Sequence, residues 1–250
     1  MTKKYFEYRG VDNAVYAEVL SDTSEGISFG NVKDFTGLSE VGKTTESNND
    51  THYYDNLPAI VISSTGADTI DLNTSGIPLD VLSDITGQYY DATTGMFVEQ
   101  ERTPKYYALG YRTKTTDGTY MLVWRLKGMF SIPTQTSPTE DDGTDANGQT
   151  LTYTGVSTVK EFTATGKPAK AITIDTSING AMTKDQFFAQ VQTPDTIAPV
   201  GPTYVYTPVT PVGTENPSQE GWYERVNDNY VLTEDTTVDS EKTYYTRSIA

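Results

Sequence analysis

Cysteine is absent from this 250-residue chain and histidine occurs once. Without thiols, the chain cannot form disulfide frameworks, thiolate zinc sites or a thiol nucleophile. One imidazole cannot assemble a multi-histidine metal site. Positive charge is scarce too: 18 Lys and Arg stand against 34 Asp and Glu, a formal net charge of -16. So acidic a chain is not expected to grip nucleic acid by neutralising phosphates. Long apolar runs are also missing. The longest is Tyr120-Met121-Leu122-Val123-Trp124, far short of the roughly 20 residues that span a bilayer, so no membrane anchor is expected. The opening Met1-Thr2-Lys3-Lys4-Tyr5-Phe6-Glu7-Tyr8-Arg9 has no apolar core, so no secretory signal is expected.

What the chain does contain points to strands. Eighteen tyrosines, eight phenylalanines and two tryptophans lie among many threonines and valines. Clusters of Gly, Asn and Asp punctuate them, the texture of an all-β sandwich or barrel. The clearest unit is a hairpin. Tyr107, Leu109 and Tyr111 alternate with Ala108, Gly110 and Arg112, and Thr116-Asp117-Gly118 supplies the turn. On the return, Tyr120, Leu122, Trp124 and Leu126 share one face, and Met121, Val123, Arg125 and Lys127 share the other. The strand should therefore be covered on both faces at its start and wet on one at its end. Gly128 suits a bulge or bend. Further strands are expected at Tyr5–Tyr8, Ala14–Val19, Ala59–Ser63, Thr69–Leu72, Leu151–Val156 and Ala171–Ile174. Two short helices interrupt them. One starts at Pro78, carries Leu79, Leu82 and Ile85 on one stripe, and stops at Gly87. The other starts at Thr183 with Gln186 three residues on, a capping-box pattern, and presents Phe187, Phe188 and Val191.

Composition divides the chain into a main β domain over 1–193, a Pro-rich linker over 194–217 and a small β-rich module over 218–250. Nine acids and three bases from Asp195 onward give -6, leaving -10 for the rest. Both parts are acidic.

Gly37-Leu38-Ser39-Glu40-Val41-Gly42-Lys43-Thr44 fits the phosphate-loop pattern at every fixed position. Such a loop must open a helix, because the helix N-terminus completes the anion site. Thr45-Glu46-Ser47-Asn48-Asn49-Asp50-Thr51 offers no apolar residue to pack one, so a strand and then a long polar loop is expected instead. His52 lacks a nucleophile elbow and reads as a rim residue. Glu140, Asp141, Asp142 and Asp145 resemble a calcium loop. Aligning Asp145 and Asn147-Gly148 with its third, fifth and sixth positions puts Gly143 and Thr154 where the essential carboxylates belong, so an acidic surface loop is expected. The same acids as a glycosidase pair would need a concave site that a sequence does not display. No catalytic residue, metal site or cofactor is expected, and the chain is not read as an enzyme.

Several segments carry a resemblance. They are Tyr53-Tyr54-Asp55-Asn56-Leu57-Pro58-Ala59, Leu79–Gly87, Tyr106-Tyr107-Ala108-Leu109-Gly110-Tyr111, Asp117-Gly118-Thr119-Tyr120 and Trp124-Arg125-Leu126-Lys127-Gly128-Met129-Phe130. With Asp145-Ala146-Asn147-Gly148-Gln149 before Leu151 and Tyr153, the pattern over about 1–191 resembles the major tail proteins of long-tailed bacteriophages. Glu220-Gly221-Trp222-Tyr223-Glu224 and Lys242-Thr243-Tyr244-Tyr245 resemble small modules appended to such proteins. The resemblance implies a β-sandwich flanked by a helix. It also implies hexameric rings stacked into a tail tube, with one sheet per subunit closing a barrel around the lumen and a long loop reaching the next ring. The implied partners are further copies of the chain and other tail proteins such as the tape measure and terminator proteins. DNA would pass through without specific binding. The implied location is the virion, after synthesis in the host cytoplasm. Acidity suits that role, because an acidic wall repels phosphates; solubility alone would also explain it.

The inter-ring contact is expected in the polar stretch Lys43 to Asn56, with Lys43, Glu46, Asp50, His52, Tyr53, Tyr54 and Asp55 as its residues, since tyrosines suit interfaces. The segment Pro133 to Asp145 is the alternative. A competing reading is a surface decoration or adhesin protein whose Tyr- and Trp-rich C-terminal module binds a host glycan or protein. The same aromatics also suit the core of a small module.

Overall fold

A computed structural model describes residues 5–54, 57–137, 139, 147–199, 204–211, 215–226 and 229–249. The chain divides into two compact units, Met1–Pro199 and Val200–Ala250. In chain order the first holds β1 (Tyr8–Asp22), β2 (Ile27–Phe29), β3 (Lys33–Asp34), β4 (Leu38–Tyr54), β5 (Leu57–Thr74), α1 (Leu79–Thr86), β6 (Tyr89–Asp91), β7 (Met96–Val98), β8 (Tyr107–Thr115), β9 (Tyr120–Phe130), β10 (Thr134–Gln135), β11 (Gln149–Gly155), β12 (Ala171–Asp175) and α2 (Lys184–Phe188). The second holds β13 (Tyr204–Pro208), β14 (Tyr223–Val226), β15 (Asn229–Leu232) and β16 (Tyr244–Ile249). The fold is mainly β, as expected, and every pairing among the described strands is antiparallel.

The main sheet runs β2-β1-β8-β9-β11-β5-β4, with β3 added to β1, β10 to β11 and β12 to β9. β9 is its spine. β8 lies along one edge. The other edge is shared: β12 pairs with Met121–Arg125 and β11 with Gly128–Phe130. The sheet therefore forks at Leu126-Lys127. One face of the β8–β9 hairpin packs Tyr107, Leu109, Tyr111 and Val123 with Tyr16, Phe35, Phe130, Ile70, Leu72, Tyr153 and Val81 and Ile85 of α1. The opposite face packs Ala108, Leu122, Trp124 and Leu126 with Phe162 and with Phe187, Phe188 and Val191 around α2. Burial of each such side chain contributes about 1.5–3 kcal/mol. The first core joins residues of β1 to residues of β5 and β11, and β1 and β4 come into contact although four strands separate them in the sheet. The sheet thus rolls around this core without a ladder closing it into a barrel.

Local chemistry fixes both helices. Pro78 sits extended at the N-cap of α1, and Gly87 ends the helix in the left-handed region at φ 68. A Cβ there would stand 2.1 Å from the Thr103 carbonyl oxygen, so the stop needs glycine twice over. The buried stripe is the expected one in part: Ile85 is buried and Leu82 packs half-buried against the core. Val81 and Ile85, at i and i+4, face the core, whereas Leu79 is 43% exposed. The capping box of α2 forms as expected: the Thr183 hydroxyl accepts from the Gln186 amide, and the Thr183 amide donates to Gln186 Oε1 at 3.0 Å. Trp124 Nε1 donates to the Phe187 carbonyl at 3.0 Å, tying α2 to the sheet.

Several expectations change. The strand expected at Tyr5–Tyr8 starts only at Tyr8, and Ala59–Ser63 and Thr69–Leu72 are one strand, β5. Arg125, expected on a wet end, is buried. The stretch 194–217 is not all linker. Tyr204–Pro208 forms β13 and pairs with β16 from Tyr204↔Ile249 to Pro208↔Tyr245. Its proline closes an edge strand, where a missing amide costs no ladder bond. The second sheet runs β13-β16-β14-β15, with Trp222 and Tyr244 buried on one face.

Gly128 marks a register shift opposite Tyr107 and Leu109. A Cβ on it would lie 2.4 Å from Tyr153 Cζ and 2.5 Å from the Thr154 carbonyl oxygen. That ring is pinned, since the Tyr153 hydroxyl donates to the Tyr107 carbonyl at 2.8 Å. Gly128→Ala should therefore cost about 1–3 kcal/mol in urea unfolding, the usual penalty for overpacking. An unchanged midpoint would contradict this close packing.

Candidate functional site

The stretch Lys43 to Tyr54 is strand rather than the expected loop, and Asn56 lies outside the described residues. The stretch belongs to β4, which pairs with β5 from Leu38↔Thr74 to Tyr54↔Leu57 with three register shifts. β5 supplies the order. Its Ile60-Val61-Ile62 and Thr69-Ile70 favour extended backbone, and ladder bonds ask nothing of the partner's side chains. The phosphate-loop pattern Gly37–Thr44 falls in the same strand. From Leu38 onward its residues pair with β5 rather than forming a loop that opens a helix.

Beyond Asp68 the two strands leave the body. β11 pairs with β5 only over Asp68–Thr74. From Thr45 to Tyr54 and from Leu57 to Ala67, each strand pairs with the other alone among the described strands. The result is a two-stranded ribbon on the order of 30 Å long at the usual rise per residue. An isolated ribbon of this kind is marginal in water.

The candidate contact residues fall along it. Lys43 sits at its base opposite Ile70. Glu46 occupies the shift between Thr45 and Ser47 and lies against Gly66. Asp50 and His52 follow at the i and i+2 positions, with His52 Nε2 3.6 Å from Asp50 Oδ2. Tyr53 pairs with Pro58 and Tyr54 with Leu57 near the tip. Asp55 lies outside the described residues. So do Glu140, Asp141, Asp142 and Asp145, and most of the alternative segment Pro133 to Asp145. The described residues contain no group of three or more His, Asp or Glu able to hold a metal ion.

At the ribbon's base lies a cluster whose members are far apart in sequence. Asp68, with a side chain 4% exposed, lies 3.2 Å from Arg125 Nη1, 3.2 Å from Lys170 Nζ and 3.7 Å from Lys43 Nζ. The Thr45 hydroxyl donates to it at 3.0 Å. Lys170 also donates to the Gly66 carbonyl, and Arg125 Nη2 to the Tyr111 hydroxyl at 3.2 Å. Burial alone would raise the Asp68 pKa. The bonds from Thr45 and Lys170 and the charges of Lys43 and Lys170 outweigh it and hold the carboxyl below its ordinary 3.8. This cluster fills the fork of the sheet: Arg125 comes from β9, Lys170 from just before β12, and Asp68, Lys43 and Thr45 from the ribbon.

In the second unit Tyr206, Tyr223, Tyr230 and Tyr245 bring rings from all four strands together. Tyr206 stacks on Tyr230 at 3.9 Å, and Tyr245 meets Tyr230 edge-on at 4.9 Å. No family model and no curated protein matches the chain. No described helix is long and apolar enough to cross a membrane.

Removing the Asp68 carboxylate strands three cations in the fork. Asp68→Asn should cost about 3–5 kcal/mol at neutral pH, the scale of breaking a buried pair. Because the folded pKa is depressed, this stability is present above 3.8 and lost as pH falls through the folded value. The gap between wild type and Asp68→Asn should therefore close on acidification, read by urea melts at stepped pH. A gap that persists unchanged would refute the linkage.

Proposed function

We propose that this chain is a structural subunit that assembles with copies of itself into stacked hexameric rings, walling a tail tube through which DNA passes. The observation that carries this reading is the ribbon of β4 and β5. A strand pair of that length with no other described strand beside it would gain cover and edge partners from another molecule. The resemblance to major tail proteins of long-tailed bacteriophages supplies the architecture: a reach from one ring to the next, with tape measure and terminator proteins as further partners in the virion. In this role the chain transforms no molecule.

A second feature supports the tube. Where Val41, Ile70, Leu72, Leu151 and Tyr153 turn into the core, the alternate positions on β4, β5 and β11 turn away from it. These are Glu40, Gly42, Thr44, Thr69, Asp71, Asn73, Thr150, Thr152 and Thr154, none of them cationic. Their polar groups bond along the sheet: the Thr152 hydroxyl donates to Asp71 Oδ1 at 3.1 Å, and Asn73 Nδ2 donates to Glu40 Oε2 at 2.9 Å. A face of hydroxyls and carboxylates without ammonium or guanidinium groups offers phosphates no grip. It suits the lumen.

Excising the ribbon tests the reading. Ser47 pairs with Thr65, so joining them through Asn-Gly, a two-residue turn suited to a hairpin, should preserve the body. The shortened protein should keep its thermal unfolding midpoint and fail to form tubes under negative stain. Tubes formed by the shortened protein would remove the ribbon from the assembly interface.

A further inference from the structure

Among the described residues, lysine and arginine ion pairs of the first unit are one-to-one with one exception. Lys33 pairs with Asp84, Lys105 with Glu18, Arg112 with Asp12, Lys127 with Asp22 and Lys184 with Asp185. At the fork, by contrast, Lys43, Arg125 and Lys170 share Asp68 alone. Glu46, the acid nearest by position, lies against Gly66 and forms no ion pair among the described residues. The fork therefore holds two positive charges in excess, inside a chain of net charge -16. It also holds an unmet donor: Arg125 Nε is buried without a hydrogen-bond partner, on a residue 8% exposed. Such an orphan is costly in a native structure. The cluster opens to the surface through Lys43, whose side chain is 45% exposed, and Lys170, at 19%.

We propose that this fork is an acceptor socket for a carboxylate side chain of a second copy of the chain, docked against Lys43 and Lys170 at the base of the ribbon. This rests on the self-assembly reading above and adds the receiving site to it. Charge decides the occupant. Every copy is strongly acidic and repels its neighbours over long range. A local cationic excess next to the element that needs cover turns that repulsion into register, because like charges elsewhere penalise wrong docking. The incoming carboxylate halves the charge excess that Asp68 leaves open, and it stiffens the ribbon's base through Lys170, which also holds the Gly66 carbonyl.

The test uses the full chain and reads the critical concentration for tube formation by pelleting, with negative stain on the pellets. Lys43 is half exposed, so Lys43→Gln should fold with a near-wild-type unfolding midpoint and assemble only at about tenfold higher concentration, the value of one weakened charged contact. Lys43→Arg, which keeps the charge, should assemble like wild type. Raising NaCl to about 0.5 M should penalise wild type more than Lys43→Gln, since screening removes what the variant already lacks. If Lys43→Gln assembles at the wild-type concentration, the socket is refuted while the tube reading stands. If Lys43→Gln and Lys43→Arg are impaired alike, the lysine's shape rather than its charge matters, and the socket is again refuted. If wild type itself never assembles, the tube reading and the socket fall together.

Discussion

One buried carboxylate holds the diverging parts of the main unit together. β9 leaves β12 and takes up β11 within two residues, and at that point the sheet can no longer be closed by backbone pairing. The gap is filled by Arg125, Lys170 and Lys43 around Asp68. An apolar plug could fill such a space at lower desolvation cost. What an ionic plug adds is direction. Asp68 is the residue at which β5's pairing with β11 ends, next to the ribbon, so its bonds fix where the body ends and how the ribbon departs.

The rest of the body follows from that division. Both faces of the β8–β9 hairpin are buried, one under α1 and the rolled sheet, the other under α2. Neither short helix is long enough to persist alone, and each is anchored by contacts the sheet provides, including Trp124 Nε1 to the Phe187 carbonyl. Among the described residues, both hydrophobic clusters of the main unit lie in its body. The ribbon beyond it is held to the body by no other described strand, which is why the proposed function has it covered by association. Acidic charge fits the same picture. In the proposed role it would keep free subunits apart, and the threonine- and aspartate-bearing outer face of β4, β5 and β11 would offer phosphates no cation.

Much of the body was legible in the sequence, for reasons that name its blind spots. The β8–β9 hairpin announced itself because alternation and an Asp-Gly turn agree, and the Thr183–Gln186 cap because its chemistry is local. The outer half of β4 was not legible, since Thr45 to Asp50 holds no apolar residue and so shows no alternation. β13 was hidden by the prolines around it. Lys43, expected in a loop, lies in β4 with its ammonium 3.7 Å from Asp68. Asp68, Arg125 and Lys170 were missed altogether, because they lie 57 and 45 positions apart in sequence and meet only when the sheet divides. One signal was available: a guanidinium between Trp124 and Leu126 in an apolar strand needs an acid somewhere. Sequence does not say which.

Electron microscopy of the purified, concentrated chain tests the central claim most directly. Hollow tubes or stacked rings, with sedimentation showing a discontinuous jump from monomer to polymer, are the predicted result. A chain that remains monomeric at every concentration and salt, also when other tail proteins are added, would contradict the account. It would turn attention to the tyrosine cluster of the second unit as a ligand-binding surface.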